Sequence, residues 1–448
     1  MNIVLFTLCV LPVLLILLKQ NGYVSFNALW FSIFHFFTYG LVGYTFPSSG
    51  ADENIKFLVV TVGFFIFWGF LLGYLLAAAI SGAGYKSRIP HDFSPITESP
   101  RLKSSMVLFI IFTIIIAWLY FGGAPPIVSA VTSLITGQFS VDAAINVRDF
   151  RFEQTKAAYF GGEYRGQGVF RAITYTNCAI IVSYFTFIFA TRGTRKSAMY
   201  LATSIVFAFI VVGGVGDRGP FLEIILISAG TYSLVRPFKA IKLLKFGAFS
   251  FLVFILLSSL STKGFYFYQQ EGVSGVFSLA DSLINRIFRG NSQYDFKIVE
   301  LVETGSWPLR WGDVHLRNII TAIPGINYGV PVSYELFIYM NPGSNNTTFL
   351  SGTYLTHTYL DFGWFGSAVL YSVAGMLIAF LARYAETKSL RSVIILLALP
   401  TISFSLGKVI VYGIPGLIPN LVIIFFSLGM LTLFLSVNVS FPRVRFRY

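Results

Sequence analysis

The 448-residue chain is short of charge, of cysteine and of histidine, and each shortage removes a class of protein. Only 11% of the residues are charged, against 55% hydrophobic and a mean hydropathy of +0.74, a balance that no water-soluble surface tolerates. The two cysteines, Cys9 and Cys178, both fall within apolar stretches and read as small packing residues that leave the redox compartment open. The four histidines, His35, His91, His315 and His357, form no HExxH or Cys/His pattern, and no carboxylate cluster has metal-ligand spacing. A GxxxxGK[ST] loop and an Asp-x-Asp pair are also missing, so no nucleotide or metal-held nucleotide-sugar site is recognisable. Neither a metal nor a cofactor is expected.

What the chain has instead is apolar stretches of spanning length along nearly its whole extent. About eleven transmembrane helices are expected, at 3–18, 25–46, 56–80, 106–122, 171–190, 198–215, 220–235, 246–261, 363–382, 392–411 and 416–437. Each is forced to be helical because lipid offers backbone groups no other partner. The first has no basic residue ahead of it and no small-residue cleavage site behind it, so it reads as retained rather than as a signal peptide. The fold class is thus all-α and polytopic: a single membrane domain, 1–448, with two outward insertions, 123–170 and 262–362, the second holding short or re-entrant helices.

Orientation follows from the cations, which collect on alternate loops: Lys19; Lys86, Arg88, Arg101 and Lys103; Arg192, Arg195 and Lys196; Arg236, Lys239, Lys242 and Lys245; Arg383, Lys388 and Arg391; Arg443, Arg445 and Arg447. The positive-inside rule makes that side cytoplasmic, with the N-terminus outside and the C-terminus inside. The same distribution explains the net charge of +13, since these cations face only Asp92, Glu98 and Glu386. The basicity is topogenic and gives no nucleic-acid surface.

Polar chemistry is confined to the outward side. The stretch "FIVVGGVGDRGPFLEIILI", 209–227, sets Asp217 and Arg218 at the tip of a glycine-rich hairpin between two spans. Asp217 also suits a helix cap, with Pro220 in the first turn that follows, whereas a fixed guanidinium at the membrane border suits an anionic headgroup. The first insertion carries Arg148, Arg151, Lys156 and Arg165. The second carries Arg286, Arg289, Arg310 and Arg317, and this preference for the planar fork over lysine points to phosphate or carboxylate ligands. Salt bridges to Asp281, Asp313 and Glu303 account equally well for about half of them. Aromatic residues in the same insertion, Trp307, Trp311, Tyr328, Tyr334, Tyr354 and Tyr359, offer rings on which sugar C–H faces stack, although interfacial belts use the same residues. His357 stands where this insertion re-enters the membrane, with Asp361 one helical turn later on the same face.

The "GDRGP" hairpin, followed by a long outer loop that returns through "NPGSNNTTFLSGTYLTHTYLDFGWFG", resembles the O-antigen polymerase (Wzy) family of bacterial inner membranes, in the order of elements from about 198 to 382. The resemblance implies a metal-independent, GT-C-like glycosyltransferase acting at the periplasmic face on undecaprenyl diphosphate-linked oligosaccharide, which serves as both donor and acceptor. Membrane lipids and a chain-length regulator membrane protein are the implied partners, and nucleic acid is not one. On this reading Arg218 is the principal diphosphate contact, helped by Arg286, Arg289, Arg310 and Arg317. His357 or Asp361 handles the acceptor proton, and Asp217, His315, Arg148, Arg151 and Tyr328 complete the substrate-binding set. His357 stands closer to Gly363 and Gly366 than the histidine of the related O-antigen ligases does to its glycine pair. A ligase that delivers glycan to a lipid A core or a protein is the alternative within the same chemistry. A lipid-linked-oligosaccharide flippase or transporter is the alternative outside it, with Glu223 and Lys408 as its candidate intramembrane charges.

Overall fold

The computed structural model describes residues 2–19, 23–24, 27–47, 52–81, 93–123, 167–212, 218–239, 271–290, 292–321, 332–342, 353–390 and 392–436, with 125, 128, 136 and 245 singly. Helices α1 (Asn2–Lys19), α2 (Ala28–Phe36), α3 (Glu53–Ile80), α4 (Pro100–Phe121), α5 (Gln167–Arg192), α6 (Arg195–Val212) and α7 (Arg218–Val235) come first. Four short helices follow: α8 (Gly275–Phe288), α9 (Ser292–Glu303), α10 (Asp313–Thr321) and α11 (Val332–Met340). Then come α12 (Tyr354–Ser389), α13 (Val393–Gly407) and α14 (Val409–Ser436). Among the described residues the one strand pairing is antiparallel, Tyr23–Val24 against Phe238–Lys239.

Among the described residues 6 helices, α3, α4, α5, α6, α12 and α14, are long and apolar enough to cross a membrane, and α1, α7 and α13 are shorter apolar helices. The chain is an all-α, multi-pass membrane protein. The expected span at 246–261 and nearly all of the expected insertion at 123–170 lie outside the described residues.

Local sequence explains where the helices begin and bend. The Asp52 side chain accepts the Asn54 amide at 2.7 Å to open α3, and Ser99 accepts Leu102 N–H at 3.2 Å, ahead of Pro100, to open α4. The expected span at 25–46 is not a uniform helix, because α2 runs through a π-turn at Phe37–Leu41 into a last turn, Val42–Thr45. The expected start of a span at 363 coincides with a break in α12 at Gly363, and ahead of it a separate first segment begins at Tyr354, where Thr353 caps it by accepting Leu355 N–H at 3.1 Å. Its first turns are too polar for lipid and pack under the short helices instead.

The most extensive helix pairing is α3 with α12. It depends on the absence of side chains: a Cβ on Gly73 would lie 2.1 Å from Ser372 O, and one on Gly375 would lie 2.2 Å from Phe70 O. Close backbone approach of this kind replaces the hydrophobic effect between helices in lipid. Helices α5 and α7 are joined by side-chain hydrogen bonds at three levels: Tyr175 to Glu223 at 2.7 Å, Thr186 with Ser228 at 2.8 Å and Thr231 to Ser183 at 3.1 Å.

The short helices α9, α10 and α11 gather over the start of α12 and cap one end of the bundle. Ile298, Leu301, Val314, Val332, Leu336, Phe337 and Leu360 form an apolar cluster of their own, separate from the main core. Asp295 on α9 fixes this cap to the bundle. Its carboxylate accepts the Tyr44 hydroxyl at 2.9 Å, Thr353 N–H at 3.1 Å, Thr353 Oγ1 at 2.8 Å and Thr356 Oγ1 at 2.5 Å. Burial pushes the Asp295 carboxyl up to about 6, against the opposing pull of the Thr356, Thr353 and Tyr44 hydrogen bonds.

Candidate functional site

At the capped end α12 is broken at Gly363, whose φ of 66° lies in the left-handed region that glycine adopts without strain. Just before the break the carbonyls of Leu360 and Asp361 accept the N–H groups of Arg310 and Trp311, both at 3.0 Å. The Asp361 side chain completes the joint. It accepts Val314 N–H at 3.1 Å and His315 N–H at 3.0 Å, so it caps the start of α10 from another helix.

Asp361 is 0% exposed and also lies 2.5 Å from His315 Nδ1, while His315 Nε2 meets the Tyr354 hydroxyl at 2.8 Å. In the neutral ring Nδ1–H donates to the carboxylate and Nε2 accepts the phenolic proton, so the imidazole is held in one tautomer from both sides. The Tyr354 ring lies over Gly413, where a Cβ would come within 2.2 Å of it and where φ is 76°.

That contact leads to a second polar cluster on the α13–α14 junction. Lys408 Nζ lies 2.6 Å from Glu223 Oε1, and Tyr175 donates to Glu223 Oε2 at 2.7 Å. The ammonium is also 5.9, 5.4 and 5.4 Å from the ring centres of Tyr175, Phe404 and Tyr412. With 15 residues α13 reaches about 22 Å. Helical hydrogen bonding continues past Lys408, whose carbonyl accepts Val411 and Tyr412 N–H at 2.9 Å each, so the pair lies within an apolar helical run that breaks only at Gly413.

The expected site residues divide sharply. His315 and Asp361 come together, with His357 beside them, its ring 6.4 Å from that of Tyr354 and its Nδ1 3.4 Å from the Asn318 amide. The helical spacing of His357 and Asp361 holds, but the Asp361 carboxylate is occupied by α10. Arg310 and Arg317 share one carboxylate, Glu335, at 2.7 and 2.5 Å, and Arg317 also pairs with Asp313 at 2.7 Å. Of the acids expected to hold the arginines, Asp313 does so. Glu303 instead accepts the Tyr359 hydroxyl at 2.6 Å, and Asp281 accepts the Asn285 amide at 2.9 Å. Arg289 donates to Asn285 at 2.9 Å, away from the imidazole cluster. Arg286 lies in α8 and Arg218 is the first residue of α7; Asp217, Arg148, Arg151 and Tyr328 lie outside the described residues.

Sequence reasoning missed Tyr354 as the partner of His315 and Glu335 as the partner of both arginines. Glu335 is one of several acids in the second insertion, and nothing in its local sequence singles it out as the partner of both arginines. Nothing local pointed to Tyr354. Among the described residues no group of three or more His, Cys, Asp and Glu side chains could hold a metal ion. The chain matches no protein-family model, no curated protein and no solved structure.

Proposed function

We propose that the protein is a polysaccharide polymerase of the O-antigen polymerase type, which transfers a growing glycan from its lipid diphosphate to the end of another lipid-linked repeat unit. In this reading the chain has about eleven spans and a GT-C-like fold, lies in a bacterial inner membrane with its N-terminus and its cap periplasmic, and takes undecaprenyl diphosphate-linked oligosaccharide as donor and acceptor. The observation that carries it is the oriented imidazole of His315 on the same short helix as Arg317. A glycosyl transfer to a hydroxyl needs a proton acceptor and cations for a departing diphosphate, and these residue types provide both.

In the reaction the acceptor hydroxyl oxygen attacks the anomeric carbon, and the bond from that carbon to the diphosphate oxygen breaks. The electron pair leaves with the diphosphate, stabilised by Arg218 at the start of α7 with Arg310 and Arg317 in support. The acceptor proton passes to the Tyr354 oxygen as the phenolic proton moves on to His315 Nε2, with His357 beside them. Asp361 is fully occupied by donors and serves to hold His315 in its tautomer, as a positioning residue.

One observation favours a second reading. The Glu223–Lys408 pair is an ion pair between apolar helices, and charges of this kind within spans support a flippase or transporter. A deletion strain separates the readings by the ladder of its surface glycan. A core capped with a single repeat unit is the expected result for loss of a polymerase, restored by wild type but not by Arg218→Ala or Arg218→Lys. An uncapped core with polymer still on its carrier identifies a ligase, and repeat units trapped in the cytoplasm identify a flippase.

A further inference from the structure

The turn from Arg310 to Asp313 closes through Asp313 N–H to Arg310 O at 3.1 Å, and both of its central residues have positive φ, 51° at Trp311 and 98° at Gly312. Positive φ at both central positions is the mirror-image turn geometry that favours Asn-Gly or Gly-Gly. Trp311 is the one non-glycine residue with positive φ among the described residues, and it is 77% exposed. A bulky residue is thus held where a small one is favoured, while its ring buries almost nothing. Backbone strain of this kind persists where the surroundings impose it and concentrates at binding and catalytic sites.

We propose that Trp311 is a carbohydrate-stacking platform beside the His315–Asp361 pair; this rests on the glycan-transfer reading above. Its backbone N–H is bonded to the carbonyl of Asp361, the residue whose carboxylate holds His315, so the position of the ring is tied to the imidazole. Sugar rings present C–H faces to an indole and hydroxyls to charged groups. The same turn carries Arg310, paired with Glu335, and Asp313, paired with Arg317, which suits a ligand with both kinds of surface. The other exposed aromatics near the break, Trp364 and Phe365, lie past Gly363 on the membrane-crossing part of α12, where Trp364 packs 6.3 Å from Phe65. Those two suit lipid, whereas Trp311 precedes the break, on the turn that leads into α10.

The test uses the full-length protein in nanodiscs of phosphatidylcholine, with plain or brominated acyl chains. The titrant is oligosaccharide released by mild acid from the host's own surface polysaccharide. The Trp311 signal is the emission of wild type minus that of Trp311→Phe. The oligosaccharide is expected to shift this signal and brominated lipid to leave it nearly unquenched. Trp311→Asn keeps the turn chemistry and removes the ring: it is expected to unfold at the same temperature as wild type or higher, and to bind the oligosaccharide about tenfold more weakly. Strong quenching by brominated lipid would make Trp311 a membrane anchor and overturn the proposal. So would a lowered unfolding temperature for Trp311→Asn, which would make the ring a structural strut. Equal binding by wild type and Trp311→Asn removes the platform and leaves the glycan reading standing, whereas no binding by wild type removes both.

Discussion

Asp361 and Glu223 are both carboxylates taken out of water near the capped end, and they are neutralised in opposite ways. Asp361 receives two backbone N–H groups and one imidazole, so most of what satisfies it belongs to the main chain. Glu223 has an ammonium and a phenol, both supplied by side chains of other helices. Main-chain donors cannot be deleted by substitution, so the first site tolerates loss of its side-chain partner. The second depends on Lys408, because its other partner, Tyr175, carries no charge.

The sharpest way to break this comparison is Lys408→Met. It leaves the partly buried Glu223 without a counter-charge, and the expected loss is up to about 3 kcal/mol of stability. The double variant Glu223→Gln with Lys408→Met is expected to recover most of that loss, because two apolar or neutral groups need no counter-charge. Thermal unfolding of the purified proteins measures both, and additive losses in the double variant would mean that the pair is not a coupled unit.

Asp295 is a third case, a carboxylate that accepts three hydroxyls and one backbone N–H and has no cation on it among the described residues. Burial raises its folded value to about 6, above the ordinary 3.8, so between these two values the folded chain holds a proton that the unfolded chain has released. Stability from this group is therefore full below pH 4 and declines as the pH rises through about 6, by about 3 kcal/mol. The measurement is the pH dependence of the unfolding temperature of wild type minus that of Asp295→Asn, which removes the titration. A difference that grows as the pH falls supports the assignment, and a flat difference refutes it.

His315→Gln makes the milder end of the comparison. Asp361 keeps both amides, so the expected cost is about 1 kcal/mol. Loss of glycan polymerisation is nonetheless expected to be nearly complete, because glutamine does not take up a proton. A destabilisation as large as that of Lys408→Met would show that the imidazole, not the main chain, holds Asp361.

Helix class and membrane character were legible because they follow from composition and from runs of apolar residues, and α3, α4 and α5 lie close to the expected spans. The cap was legible only as a polar insertion. Its attachment depends on Asp295 meeting Tyr44 and Thr353, residues far apart in the chain with no shared local pattern. The site was half legible for a similar reason. His357 and Asp361 were expected together because they lie one helical turn apart, but Asp361 points its carboxylate at the open end of α10, and no spacing rule predicts which helix will need a cap. Lys408 and Glu223 were legible as anomalies, charges inside spans, but their pairing across α7 and the α13–α14 junction was not.

The smallest expected effect on stability belongs to Glu335, and it decides whether the arginines are available to a substrate. Arg310 and Arg317 meet on this one carboxylate, whose side chain is 29% exposed, more than Glu223 at 14%. An ion pair of this kind, partly in water, contributes about 1 kcal/mol or less. Glu335→Gln is therefore expected to change the unfolding temperature little, in contrast to Lys408→Met. If Glu335 holds the two guanidinium groups in place until an anion arrives, its removal frees them, and inorganic diphosphate should protect Glu335→Gln against thermal unfolding at lower concentration than it protects wild type. The double variant Arg310→Gln with Arg317→Gln should lose that protection. Equal protection of wild type, Glu335→Gln and the double variant would leave the arginines as ties between α10 and α11, and would place the diphosphate on Arg218 alone.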